Sequence, residues 1–363
     1  MSEAKKITST QLFFIILQTQ IGIGILSLPY NLFKIAETDG WLSLIISGAI
    51  VQVITLIHWG LTYRLPGETV YSMGNTLLGT FLGKVLNIGY IGYYIVISSV
   101  IMVLYVNVLQ RWVYHITPAY ILVLLLAIIA LYFAKENIVN IARFYVMVSV
   151  LLIVIILLVA SAFKYADIRY IFPIGEAGIQ KIMLGAKEGT ISMLGFEAVL
   201  ILAPFVRAQS KTTTLKMVVF SNFAATMIYV YVTLACLLFF SPDEMPLVPE
   251  PVLYILKATQ NSVIERIDLV FLAFWIISVI TSLIMYVYIA SVGMKTCFKK
   301  KTHRPFVPII VFCAAILSIY YSKSDDLTAV LSKITNYLVY IFIFIIPTLL
   351  FILSLFKKRK RTT

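Results

Sequence analysis

Apolar residues run through this chain in long blocks rather than in strand-like alternation. A bilayer core about 30 Å thick needs about 20 consecutive apolar residues per helical span, and windows of that size, bounded by charge, Gly and Pro, recur throughout. Ten are found, at 11–34, 41–63, 85–108, 119–134, 144–163, 188–206, 216–240, 267–293, 305–321 and 334–356. The fourth and ninth are short, and the first and sixth are interrupted by glycine and proline. The widest connections, 164–187 and 241–266, read as loop-sized caps on the outer face, so no separate soluble domain is expected. The pattern predicts an all-α integral membrane protein with ten transmembrane helices, residues 1–363 forming one membrane domain. The first run holds Gly22, Gly24 and Pro29 and reaches spanning length without a small-residue cleavage site, so it is read as a retained span rather than a signal peptide.

Composition removes the soluble alternative: 61% of residues are hydrophobic and only 12% charged, against about 25% charged in an ordinary soluble domain. The formal charge of +13 would suggest nucleic acid in a soluble protein, but its distribution says otherwise. With ten spans and both termini cytoplasmic, the inner segments hold 19 basic and 3 acidic residues, a net +16, while the outer loops net −2. This is the positive-inside pattern. Nine or eleven spans would put the Lys295–Arg304 cluster and the terminal Lys357-Lys358-Arg359-Lys360-Arg361 on opposite sides. The tail, 357–363, is read as an orientation anchor with affinity for anionic lipid, and no nucleic-acid partner is expected. Cys236, Cys297 and Cys313 are too few and too scattered for a disulfide framework or metal knuckle.

The interruptions fall in matching places. Span one reads Gln18-Thr19-Gln20-Ile21-Gly22-Ile23-Gly24-Ile25-Leu26-Ser27-Leu28-Pro29, and span six reads Ser192-Met193-Leu194-Gly195-Phe196-Glu197-Ala198 with Pro204 beyond. Each opens a five-span half, and because five is odd the halves insert with opposite orientation. Glycine loosens the helix and proline removes a hydrogen bond, which permits unwinding where the freed backbone faces a cavity. Paired breaks of this kind point to a transporter-type binding site. Freed N–H groups suit a carboxylate and freed carbonyls an ammonium, so an α-amino acid matches both. Simple close packing through Gly22 and Gly24 competes with this reading.

Glu197 is the one acid placed deep within a span. Its intramembrane carboxylate makes it a functional candidate, with three roles open: meeting a substrate amine, carrying a proton, or bracing the broken helix. Tyr93 and Ile97 lie one turn apart in span three, as do Ser282 and Tyr286 in span eight, so each pair shares a face. Thr281 and Ser282 offer hydroxyls near the first break, although such groups are common interhelical glue. Phe342 reads first as packing. No zinc motif, phosphate loop or nucleophile elbow is present, so no metal, cofactor or enzymatic activity is expected.

Several motifs, in order and spacing, carry a resemblance over essentially the whole chain. They are Gly22-Ile23-Gly24-Ile25-Leu26-Ser27-Leu28-Pro29, Asp39-Gly40-Trp41, Pro173-Ile174-Gly175-Glu176, Leu194-Gly195-Phe196-Glu197, Trp275-Ile276-Ile277 with Tyr286, and Asn336-Tyr337-Leu338. The chain resembles the B subunit of spore nutrient germinant receptors, the spore germination permease branch of the amino acid, polyamine and organocation superfamily. The resemblance implies a LeuT-like fold of two inverted five-helix repeats, 7–163 and 168–356, with helices one and six broken. It implies a subunit that recognises a small-molecule nutrient, usually an amino acid, in the inner spore membrane, beside an A-type membrane subunit and a C-type lipoprotein. The family pocket maps onto Gly22, Tyr93, Ile97, Leu194, Ser282, Tyr286 and Phe342, next to Ile23, Gly24, Gly195 and Glu197 of the breaks. Some members of the superfamily carry a lysine at a sodium position in span five; 144–163 holds none. An active amino-acid transporter or symporter is the alternative function.

Overall fold

The structure, a computed structural model, describes residues 6–22, 24–207, 211–259 and 266–357; Ile23 and the tail beyond Lys357 lie outside them. Each apolar window holds a helical span. Span one is α1 (Ser9–Gln20) followed by α2 (Gly24–Ala36), and span two is α3 (Gly40–Arg64). After short α4 (Val70–Leu78) come span three, α5 (Thr80–Trp112), and span four, α6 (Ala119–Ala134). Span five joins α7 (Ile138–Val148) to α8 (Val150–Val159). Span six is α9 (Gly178–Ser192) and, past its break, α10 (Val199–Leu202), and span seven is α11 (Lys211–Phe239). Short α12 (Pro251–Ala258) precedes span eight, α13 (Ile267–Cys297), and span nine, α14 (Val307–Tyr321). Span ten runs from α15 (Asp325–Val339) through a π-helical turn, Tyr340–Ile345, into α16 (Ile346–Leu355).

Among the described residues, seven helical stretches are long and apolar enough to cross a bilayer, and the bent pair in span six makes an eighth. One of the seven, Gly24–Arg64, is 41 residues long. It turns at the 3-10 helix Glu37–Asp39, where Glu37 takes a positive φ of 50°, and so supplies the second half of span one and all of span two. The short α6 and the separate α1 complete the ten.

Local chemistry explains the ends. Thr8 opens α1 with a capping box, its hydroxyl accepting from the Gln11 N–H while the Gln11 side chain accepts from the Thr8 N–H. Just before it, Ile7 pairs with the end of span six: its N–H donates to the Phe205 carbonyl at 2.9 Å, and its carbonyl accepts from Arg207 at 2.8 Å. The buried Asp39 carboxylate accepts from the N–H groups of Gly175 and Ala177, at 2.8 and 3.0 Å. Two of the sequence motifs, Asp39-Gly40-Trp41 and Pro173-Ile174-Gly175-Glu176, are thereby locked to each other.

Span six departs from the apolar window. It begins at Gly178 rather than 188, because Gln180, Lys181, Lys187 and Glu188 depress the hydropathy of a helix whose other face packs on α2 and α3. The helix packing has internal symmetry: α1 rests on α11 as α9 rests on α3, and α5 rests on α14 as α6 rests on α13. The pairs α5 with α13 and α6 with α14 exchange with themselves. Swapping spans one to five for six to ten thus reproduces the same contacts, the pairing expected of a 5+5 repeat.

Candidate functional site

The first break frees the carbonyls of Gln18, Thr19 and Gln20, which have no intrahelical partner beyond the end of α1. Other spans cover them. The Ser282 hydroxyl lies 3.1 Å from the Thr19 carbonyl and 3.4 Å from that of Gln18, and the Tyr229 hydroxyl donates to Gln20 at 2.8 Å. A Cβ at Gly22 would sit 2.6 Å from Ser282 Oγ, so a glycine is what lets the hydroxyl reach these carbonyls. Thr281 is occupied in the same way, donating to Ser278 at 2.7 Å and accompanied by Gln18 Oε1 at 3.5 Å.

The second break is held from within. Span six bends by 49° between α9 and its continuation, and Gly195 adopts φ +131°, a conformation suited to glycine. The fully buried Glu197 carboxylate accepts from the Gly195 N–H at 2.7 Å through Oε2 and from the Tyr286 hydroxyl at 3.0 Å through Oε1. These two bonds are those that a brace on the broken helix makes.

The breaks also touch. A Cβ on Gly195 would lie 2.7 Å from the Gln20 nitrogen. The Tyr229 hydroxyl that serves Gln20 also reaches the Ser192 carbonyl at 3.2 Å, and Gln20 Nε2 donates to the Met193 carbonyl at 3.1 Å. One amide and one phenol therefore tie the two unwound segments to each other.

A cavity of about 560 Å³ opens against this junction, within the usual range for small-molecule sites. Gly22, Gly24, Ile97, Leu194, Ser282 and Tyr286 line it. Gly195 and Glu197 stand behind the lining, connected to it through Tyr286. Tyr93 and Phe342 are stacked on one another with centroids 5.6 Å apart, and Tyr93 packs on Tyr94, which stacks on Tyr286. They form an aromatic layer beside the cavity rather than its wall. Ile23 lies outside the described residues.

Sequence reasoning missed the polar end of the cavity, where Asn31, Arg111, Glu188 and Glu250 also line it. Arg111 and Glu250 form an ion pair at the end of span three, and the Trp112 indole lies 3.4 Å from the same carboxylate. Glu188 is the first residue of the hydropathy window 188–206, so in the sequence it reads as a span boundary. Its spacing of four from Ser192 was the available signal, since it puts both residues on one face of a helix entering the break.

Comparison with known proteins now bears on this geometry. A family model described as spore germination protein matches residues 6–327. The chain belongs to the spore germination protein family. It is similar to spore germination protein GerQB of Bacillus cereus, 22% identical with 98% of each chain covered. It is also similar to two proteins of Bacillus subtilis strain 168: spore germination protein YndE, at 24% identity over 99% of each chain, and spore germination protein A2, at 24% over 98% of each. Among solved structures, the substrate-bound outward-open state of a Na+-coupled sialic acid symporter matches with a TM-score of 0.68 and 12% identity. That match covers 94% of this chain and 80% of the symporter, and at such identity it speaks to fold. The family member described here is thus a multi-pass helical membrane protein with the LeuT-like architecture of a symporter.

Proposed function

We propose that this protein is the nutrient-recognising subunit of a spore germination receptor, and that an amino acid or similar small molecule binds where the two helix breaks meet. The observation that carries the reading is the cavity itself, walled by both unwound segments and by spans three, eight and ten. Membership of the germination family supports the biological setting. In this reading the protein sits in the inner spore membrane with both termini cytoplasmic, consists of repeats 7–163 and 168–356, and acts with an A-type membrane subunit and a C-type lipoprotein. The positive-inside charge balance supports that orientation.

Ligand binding would act by shifting a two-state equilibrium. Moving a population from 1:99 to 99:1 takes about 5.5 kcal/mol of differential binding. A site that closes two unwound segments around one zwitterion is a plausible source of that energy. The test uses spores whose sole copy carries Gly22→Trp, which fills the cavity wall at the first break. Loss of the nutrient dose response at normal abundance is expected; an unchanged response overturns the site.

A second reading, an active amino-acid transporter, is favoured by the symporter-like fold. Counterflow of labelled amino acids in proteoliposomes separates the two. Saturable exchange would establish transport, and binding without exchange would leave the receptor.

A further inference from the structure

The cavity lining holds one acidic side chain that no ion pair among the described residues satisfies. Its charged lining residues are Arg111, Glu250 and Glu188. Arg111 and Glu250 neutralise one another, and the Glu250 side chain is almost wholly buried in that pair. Glu188 is different. It is partly buried, the Asn31 side-chain amide is beside it as a donor, and among the described residues it forms no ion pair with any Lys or Arg. Its neighbour Lys187 makes no ion pair with it: Nζ sits 5.3 Å from the centre of the Tyr340 ring and acts on the carboxylate only through space. The lining therefore carries one net negative charge.

The position of that charge is informative. Glu188 lies four residues before Ser192, whose Cβ stands 3.3 Å from where a Cβ on Gly24 would lie. Four residues of α-helix rise about 6 Å, close to the reach of an extended four-carbon side chain. A neutral amide such as Asn31 can orient the carboxylate but cannot compensate its charge, and a carboxylate held in a low-dielectric cavity favours a cationic partner.

We propose that Glu188 forms a cation subsite that takes the side-chain ammonium or guanidinium of a basic amino acid whose α-amino and carboxylate groups lie at the helix breaks. This rests on the binding reading above and adds the ligand class. Asn31 is a positioning residue here, fixing the carboxylate toward the cavity.

The test is a binding measurement on the full-length chain in lipid nanodiscs, with labelled L-lysine and L-norleucine, which share a carbon chain but differ by the terminal ammonium. Wild-type protein is expected to prefer lysine by about 10- to 100-fold, the range for a hydrogen bond to a charged group. Glu188→Gln should remove that preference while leaving norleucine affinity within about twofold. Equal affinities in the wild type overturn the subsite and leave the amino-acid reading intact, and this arm needs no variant to fold. A lysine preference that survives Glu188→Gln overturns the role of Glu188. If neither ligand nor any other standard amino acid binds, the underlying site reading fails as well.

Discussion

The two helix breaks are built from different materials. At the first, the freed carbonyls are met by hydroxyls borrowed from spans seven and eight, Tyr229 and Ser282. At the second, the brace belongs to the broken segment: Glu197 reaches back two residues to the Gly195 N–H. A brace that spans only two residues keeps the turn at Gly195 when neighbouring helices move. A break covered by other spans changes when they do, and spans seven and eight reach both: Tyr229 and Ser282 at the first, Tyr229 on the Ser192 carbonyl and Tyr286 on Glu197 at the second. Tyr286 joins the systems, since it lines the cavity and donates to Glu197.

The largest expected effect comes from attacking the self-braced break at its backbone. Gly195→Val places a β-branched residue at φ +131° with its Cβ 2.7 Å from the Gln20 nitrogen, and neither backbone can yield without moving the other break. Conformational strain and overpacking together cost on the order of 4 kcal/mol. Protein in the membrane fraction should fall severalfold or more; normal abundance would show that the breaks do not touch as described.

Next is the brace. Glu197→Ala leaves a buried N–H and a buried phenol without acceptors, a loss of about 2–4 kcal/mol. Glu197→Gln keeps one carbonyl oxygen to accept from either donor and should cost about half as much. Thermal unfolding in detergent reads both. If Glu197→Gln retained full stability and full ligand response, both the charge-dependent brace and a proton-carrying role would be excluded.

Tyr229→Phe tests the borrowed side. A single hydroxyl serves Gln20 and Ser192, one carbonyl from each break, so its removal should cost about 1–2 kcal/mol and loosen both breaks together. Faster hydrogen exchange at residues 20–26 and 192–198 is the expected signature. Faster exchange in only one segment would mean that the breaks are independent.

How much of this was written in the sequence differs between the parts. The ten windows located every span, because hydropathy integrates over about 20 residues and tolerates local errors. Both breaks were legible from Gly22, Gly24, Gly195 and the downstream prolines. The polar cavity end was not, since the same averaging that finds spans treats Glu188 as a boundary. Arg111 and Glu250 are 139 residues apart, and only the fold joins them. The resemblance maps Tyr93 and Phe342 onto the pocket; Phe342, which stacks on Tyr93, lies in the π-helical turn of span ten, which the local sequence Tyr340-Ile341-Phe342-Ile343 does not announce.

The smallest effect is also the most specific. Gly22→Ala drives a Cβ to within 2.6 Å of Ser282 Oγ, displacing the hydroxyl that covers the carbonyls of Gln18 and Thr19. Overpacking at that contact should cost about 1 kcal/mol. Ser282→Ala alone loses a single intramembrane hydrogen bond, about 0.6 kcal/mol, and uncovers the same carbonyls. The two changes act on one contact, so they should not add: with Oγ gone, the nearest atom to the new methyl is the residue-282 Cβ at 3.3 Å, which relieves most of the clash. The double variant should therefore unfold close to Ser282→Ala alone, with a coupling of about 0.5–1 kcal/mol. Strict additivity would mean that the hydroxyl does not occupy the space beside Gly22, and the first break would then be held by something other than span eight.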